Sequence, residues 1–189
     1  MDLPALLAKK SEVVDELRGE KYVDLAAHYG FEIIRGHARF GAPERLDVDG
    51  REIGAAHIVI ATGSAPWAPP IDGLDEAGYL TSTSAMELLE LPESLVVIGG
   101  NYIGLELGQV FANLGSKVTI VEAAHRIAPL EEPEISEVMT QILEEQGIEV
   151  VTSAKVTRVD AGSPKTVVAE TSGGELRFTG AEILVAGTR

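Results

Sequence analysis

The run Leu95-Val96-Val97-Ile98, followed at once by Gly99-Gly100-Asn101-Tyr102-Ile103-Gly104, leaves this chain few folds to choose from. Four consecutive apolar residues read as a strand buried on both faces, the kind found in a parallel sheet covered by helices. Gly99 lets the chain turn sharply off the end of that strand. Helical spacing follows, with Ile103, Leu107, Val110, Phe111 and Leu114 on one face. Gly104 and Gly108 allow the helix backbone close to the sheet, and Gly115 supplies the C-terminal stop. Val118-Thr119-Ile120-Val121 then reads as a second strand, delivering Glu122 eighteen residues beyond Gly104.

A helix that opens directly off a strand presents its free first-turn N–H groups and the positive end of its dipole, a ready site for a pyrophosphate. An acid at the end of the second strand stands where a dinucleotide-binding fold places the carboxylate that accepts hydrogen bonds from the adenosine ribose. The expected cofactor-binding set is therefore Gly99, Gly100, Asn101, Tyr102, Ile103, Gly104 and Glu122. Asn101 occupies the place of the middle glycine of G-x-G-x-x-G. Asparagine tolerates left-handed backbone angles but carries a Cβ, so either the phosphates sit farther out or the amide donates a hydrogen bond to them. A carboxylate at position 122 repels a 2′-phosphate, which favours NADH over NADPH. Arg126 could reach such a phosphate and keeps NADPH open, although a lone loop arginine reads first as a solvated surface charge.

With 189 residues, 45% of them hydrophobic, the chain can build one sizeable core or two small ones. A net charge of −15 with no basic patch argues against nucleic acid or an anionic membrane as partner. No apolar run reaches the length of a membrane span, and Met1-Asp2-Leu3-Pro4 lacks the layout of a signal peptide, so the expected setting is cytoplasmic. The chain has no cysteine, which removes disulfides, thiolate nucleophiles and thiolate metal sites. His28, His37, His57 and His125 lack ligand spacing; no metal site is expected and no chemistry is assigned to them.

Along the chain, helical spacing over Leu3–Tyr29 ends at Gly30. Phe31–Ile34 reads as a strand, residues 38–59 as short antiparallel strands turning at Gly41-Ala42-Pro43 and Asp49-Gly50, and His57–Ala61 as a further strand. The proline-rich connector Ala65-Pro66-Trp67-Ala68-Pro69-Pro70 marks a domain border, with Trp67 expected as a lid over that loop rather than a binding platform. Ser84 with Glu87 reads as a capping box opening a short helix that Pro92 closes. Pro133 opens a helix with face Ile135, Val138, Met139, Ile142 and Leu143, stopped by Gly147. Ile148–Val151 is a third strand, Lys155–Asp160, Thr166–Glu170 and Leu176–Phe178 a three-stranded meander, and Ile183–Val185 a last buried strand. The fold class is α/β: a Rossmann-like nicotinamide-binding domain of parallel sheet, helices and antiparallel meander, preceded by an incomplete segment of a second domain.

Ala61-Thr62-Gly63-Ser64, Leu80-Thr81-Ser82-Thr83, Pro92 to Gly100 and Tyr102-Ile103-Gly104-Leu105-Glu106 resemble the flavin-dependent pyridine nucleotide-disulfide oxidoreductases. Glu20 to Leu25, Ala65 to Pro70, Gly99-Gly100-Asn101 and Arg126-Ile127-Ala128-Pro129 to Glu134-Ile135 are similar to the mercury(II)-reducing branch of that family. The resemblance implies that Thr62 and Gly63 contact FAD, that Tyr102 covers the nicotinamide side of the flavin, and that Glu106 pairs with a flavin-side lysine. Without it, Glu106 reads only as an exposed acid of the first helical turns. Gly187 matches a second short motif bordering the nicotinamide, in the order Ala-Gly-Thr rather than Ala-Thr-Gly. The resemblance further implies a middle fragment. Residues 1–80 would be the trailing part of an FAD-binding domain and 81–189 an NAD(P)-binding domain of a homodimeric enzyme that carries hydride from NAD(P)H through FAD and cysteine thiols to Hg(II). No catalytic residue of that reaction falls in this chain, which by itself is expected to be inactive and to bind FAD poorly. A reductase of the same family such as dihydrolipoamide dehydrogenase, and a non-catalytic nucleotide-binding module, remain alternatives.

Overall fold

The computed structural model describes residues 3–186, and the chain divides into two compact units, Ala5–Ser64 and a second that begins at Ala65. The first carries helix α1 (Leu3–Arg18), a π-helical turn (Gly19–Val23), helix α2 (Asp24–His28) and an antiparallel sheet of β1 (Ala38–Ala42), β2 (Arg45–Val48) and β3 (Arg51–Gly54). Gly30, at φ +71°, ends the helical run as expected. Asp49 and Gly50, at φ +49° and +88°, make the β2–β3 turn, as their Asp-Gly sequence requires. Two expected strands do not form. Phe31 instead stacks on Tyr29, ring centroids 5.8 Å apart, and the 57–61 run leaves Val59 and Ile60 exposed. A buried strand exists only through a neighbour's hydrogen bonds, and among the described residues neither segment has one.

The second unit contains the short helices α3 (Leu74–Ala77) and α4 (Ser82–Ala85), then β4 (Ser94–Ile98), α5 (Tyr102–Leu114), β5 (Lys117–Val121), α6 (Pro133–Glu145), β6 (Glu149–Val151), β7 (Lys155–Asp160), β8 (Lys165–Thr171), β9 (Gly174–Gly180) and β10 (Glu182–Val185). The parallel sheet has the order β10-β4-β5-β6, with Val97 facing Leu184 on one side and Ile120 on the other. Strands β7-β8-β9 form the expected antiparallel meander.

Period-two alternation divides the apolar residues of the parallel strands between two cores. Leu95, Val97, Val118, Ile120 and Leu184 pack with Leu105, Phe111 and Leu143 of the helices. Val96, Ile98, Val121, Ile183 and Val185 pack with Val159, Val167 and Ala169 of the meander. The sheet is thus the middle of three layers, which is why its strands read as unbroken apolar runs.

Three local expectations are corrected. The capping box of α4 is Thr81 with Ser84, not Ser84 with Glu87: the Ser84 N–H donates to Thr81 Oγ1 and the Thr81 N–H to Ser84 Oγ. On α5 the buried face is Gly104, Leu105, Gly108 and Phe111, leaving Ile103 and Val110 exposed. On α6 Leu143 and Ser136 are buried while Ile135, Val138 and Ile142 are exposed. Both helices carry apolar residues around more than one stripe, and only close approach to the sheet selects the stripe that is buried.

Candidate functional site

Strand β4 ends at Ile98, and Gly99, at φ +111°, turns the chain into α5. A Cβ at position 104 would lie 2.0 Å from the Gly99 carbonyl oxygen, and one at position 108 would lie 3.3 Å from Ile120 Cδ1. Glycine at position 104 is a packing requirement, while at position 108 a side chain would need Ile120 to give by a few tenths of an ångström. Gly100 is pinned as well, since a Cβ there would come within 2.9 Å of Ile127 Cγ2.

Asn101 is buried in extended conformation, φ −103° and ψ −177°, so its tolerance for left-handed angles is not used. It is the N-cap of α5, its Oδ1 accepting from the Tyr102 N–H at 3.0 Å, while the Leu105 N–H donates to its carbonyl at 3.0 Å. Ile103 and Gly104 contribute the remaining first-turn N–H groups, which have no acceptor one helical turn back within α5.

The Glu122 carboxylate, half-buried at the end of β5, accepts from the Gly100 N–H at 2.6 Å and the Ala124 N–H at 2.7 Å. It clasps the glycine turn to the segment that follows it. The Ala128 N–H donates to the Gly100 carbonyl at 2.8 Å, so residues 122–128 and the turn form one hydrogen-bonded piece. A carboxylate has about four acceptor positions, and two backbone donors leave room for ribose hydroxyls.

Arg126 is corrected from a surface charge to an internal staple. It is half-buried, donating to the Pro129 and Glu131 carbonyls at 2.8 and 3.0 Å and to His125 Nε2 at 2.9 Å, with Nε buried and unpartnered. Tyr102, half exposed, donates its hydroxyl to the Glu131 carboxylate. That hydrogen bond, then desolvation and the Glu131 charge, raises the Tyr102 pKa above the ordinary phenol value. Glu106 is exposed on α5. Thr62 and Gly63 are exposed in irregular backbone at the end of the first compact unit, and Gly187 lies outside the described residues.

Ile98, Gly99, Asn101, Val121, Glu122 and Ala186 line an open cleft of about 310 Å³ at the carboxyl ends of β4, β5 and β10. This is where ligands bind to open parallel sheets. A glycine turn packed against its own helix, a capped helix N-terminus and a carboxylate with spare acceptor capacity together suit a dinucleotide. Trp67, Ile71 and Lys155 also line the cleft. Trp67 thus reaches beyond the loop that its sequence context predicts it to cover, and Lys155, the first residue of β7, joins the cleft with only its place between β6 and β7 as a signal in the sequence. Among the described residues no cluster of His, Asp or Glu suits a metal ion, and no helix is long and apolar enough to cross a membrane.

Residues 3–188 match the model of the pyridine nucleotide-disulphide oxidoreductase family. The chain is 46% identical to the mercuric reductase of Bacillus cereus over 98% of its own length and 30% of that protein's. It is 51% identical to the mercuric reductase of Streptomyces lividans over 84% and 34%, and 36% identical to the dihydrolipoyl dehydrogenase of Bacillus subtilis over 98% and 41%. An HOCl-induced flavoprotein disulfide reductase from Escherichia coli superposes with a TM-score of 0.88 at 35% identity, covering all of this chain and 43% of that one. The chain thus spans about a third of the length of the curated mercuric reductases it matches.

Proposed function

The chain belongs to the pyridine nucleotide-disulphide oxidoreductase family, and from that premise we propose that it is the nicotinamide-nucleotide-binding part of a flavin-dependent oxidoreductase, most closely a mercury(II) reductase. In this reading residues 81–189 are the NAD(P)-binding domain and residues 1–80 the trailing part of an FAD-binding domain, with residues 65–80 packing in the compact unit of the former. When bound, the nicotinamide supplies a hydride whose two electrons pass through FAD and cysteine thiols to reduce Hg(II) to Hg(0). This chain contributes no thiol, having no cysteine. Its own residues bind and orient. The N–H groups of Ile103 and Gly104 hold the pyrophosphate, Asn101 fixes the helix terminus, Glu122 accepts from the adenosine ribose, and Tyr102 with Glu106 faces the flavin. Thr62 and Gly63 border the FAD, and Gly187 borders the nicotinamide. A cytoplasmic homodimer is the proposed setting of the whole enzyme.

The observation that carries the reading is the Glu122 carboxylate, hydrogen-bonded to the glycine turn and lining the same cleft. NADH is the proposed nucleotide, because a 2′-phosphate would meet that carboxylate while the guanidinium of Arg126 is engaged by loop carbonyls. Calorimetric titration of the chain with both nucleotides tests this. NADH is expected to bind more tightly, and Glu122→Ala to narrow the difference. Tighter binding of NADPH by the unmodified chain overturns the assignment of Glu122, and binding of neither overturns the nucleotide reading. No Hg(II)-dependent oxidation of either nucleotide is expected from the chain alone.

A further inference from the structure

Trp67 is the only tryptophan of the chain, and 44% of its surface is exposed. It stands on the proline-rich segment Ala65–Pro70, yet lines the cleft that Glu122 borders, together with Pro69, Ile71, Ala154, Lys155 and Val156. A tie downstream explains how it gets there. Asp72 bridges Arg158 of β7 in parallel, the Val159 N–H donating to the Asp72 carbonyl at 2.8 Å. Upstream of that bridge, Trp67 and Pro69 line the same cleft as Ala154, Lys155 and Val156, which lead into and begin β7.

That stretch is bound in turn to the segment carrying Glu122. The Ser153 N–H donates to the Ala124 carbonyl at 2.7 Å and the Ala154 N–H to the Glu122 carbonyl at 3.0 Å. The indole and the ribose-side carboxylate therefore line one cleft, and Glu122 marks its β5 side as the ribose side. In a dinucleotide laid across strand carboxyl ends, the adenosine half lies on that side and the nicotinamide beyond β4 toward β10. Ile71, Ala154 and Val156 give the cleft that the indole lines an apolar portion.

We propose that Trp67 is a stacking platform for the adenine ring of the bound dinucleotide, so that the proline-rich connector is part of the nucleotide site rather than only a link. The proposal rests on the nucleotide-binding reading above. Rings with an exposed π-face stack on bases with little dependence on their hydrogen-bonding edges, so the contribution is common to NADH and NADPH, unlike that of Glu122.

Tryptophan emission of the full chain, followed during titration with NAD+, AMP and nicotinamide mononucleotide, is the test. NAD+ and AMP are expected to quench or shift the emission, and nicotinamide mononucleotide to leave it unchanged. Trp67→Ala should weaken NADH and NADPH binding by a similar factor, roughly five- to 150-fold, the usual worth of one base–aromatic stack. Trp67→Phe should stay within about threefold of the unmodified chain. The proposal falls if calorimetry detects nucleotide binding while the emission does not move, if nicotinamide mononucleotide is the fragment that moves it, or if Trp67→Ala, still folded by circular dichroism, binds both nucleotides as before. Should Trp67→Ala fail to fold, the unmodified chain's response to the two mononucleotides decides the question alone. Absence of any nucleotide binding removes the underlying reading as well, and is distinguished by calorimetry.

Discussion

The two compact units treat the same kinds of residue in opposite ways. From Ala65 onward, Val97, Ile120, Val167, Ile183 and Leu184 have no measurable exposure. In Ala5–Ser64, Val48 is the one buried hydrophobic residue among those described, while Leu6, Val13, Leu17, Leu25, Phe31 and Ile33 are each at least 40% exposed. Both regions carry apolar periodicity. Periodicity specifies which side of an element should be covered, and only neighbours of the right shape cover it. A helix with no buried side chain, such as α1, gains little beyond its own hydrogen bonds, which are marginal in water.

Glycine substitution should break this comparison most visibly. Gly104→Ala forces a Cβ against the Gly99 carbonyl and is expected to cost about 3 kcal/mol or more and to abolish nucleotide binding. Gly19→Ala meets nothing within 4 Å and should be neutral or stabilising by up to about 1 kcal/mol. Hydrogen exchange across the two units reads both effects. Core truncation comes next. Ile120→Ala should destabilise the second unit by about 2 to 5 kcal/mol, against less than about 1 kcal/mol for Val13→Ala in urea unfolding. Similar losses at the two sites would refute the contrast.

The smallest effects concern charge at the surface of the second unit. Asp160 accepts from Arg158 and Arg177, both at 2.7 Å, and the Arg158 hydrogen bond above all lowers its pKa below the ordinary aspartate value. Its contribution to stability is present above that ordinary value and is lost as pH falls through the folded one. Tyr102 runs the other way. Its pKa is raised, so its contribution is complete below the ordinary phenol value and is lost as pH rises through the folded one. Asp160→Asn should flatten the acid arm of the stability–pH curve and Tyr102→Phe the alkaline arm. Unchanged slopes would show that neither contact persists in solution.

Much of the second unit was legible in sequence because its signals are local and strong. The β4 turn, the Gly115 and Gly147 stops, the three meander strands and the last buried strand all appear where expected. Failures cluster where the deciding contact is distant. Phe31–Ile34 and His57–Ala61 have strand-like composition, but no partner among the described residues pairs with them. The expected stripes of α5 and α6 hold at Leu107, Phe111, Met139 and Leu143, which pack on the core, and fail at Ile103, Val110, Ile135, Val138 and Ile142, because several apolar faces compete and the sheet covers one. Arg126 read as solvated because nothing in its neighbours' identities announces that the carbonyls of Pro129 and Glu131 curl back onto it.

The candidate site divides the same way. Sequence alone determined the glycine turn, the helix it opens and the acid at the end of β5, since each follows from short-range geometry and strand–helix spacing. Tertiary structure alone decided that Glu122 reaches back to the Gly100 N–H and that Trp67 and Lys155 reach the same cleft. Those results depend on segments far apart in the chain meeting at the sheet edge. No local propensity encodes such meetings; the packing of the layers does.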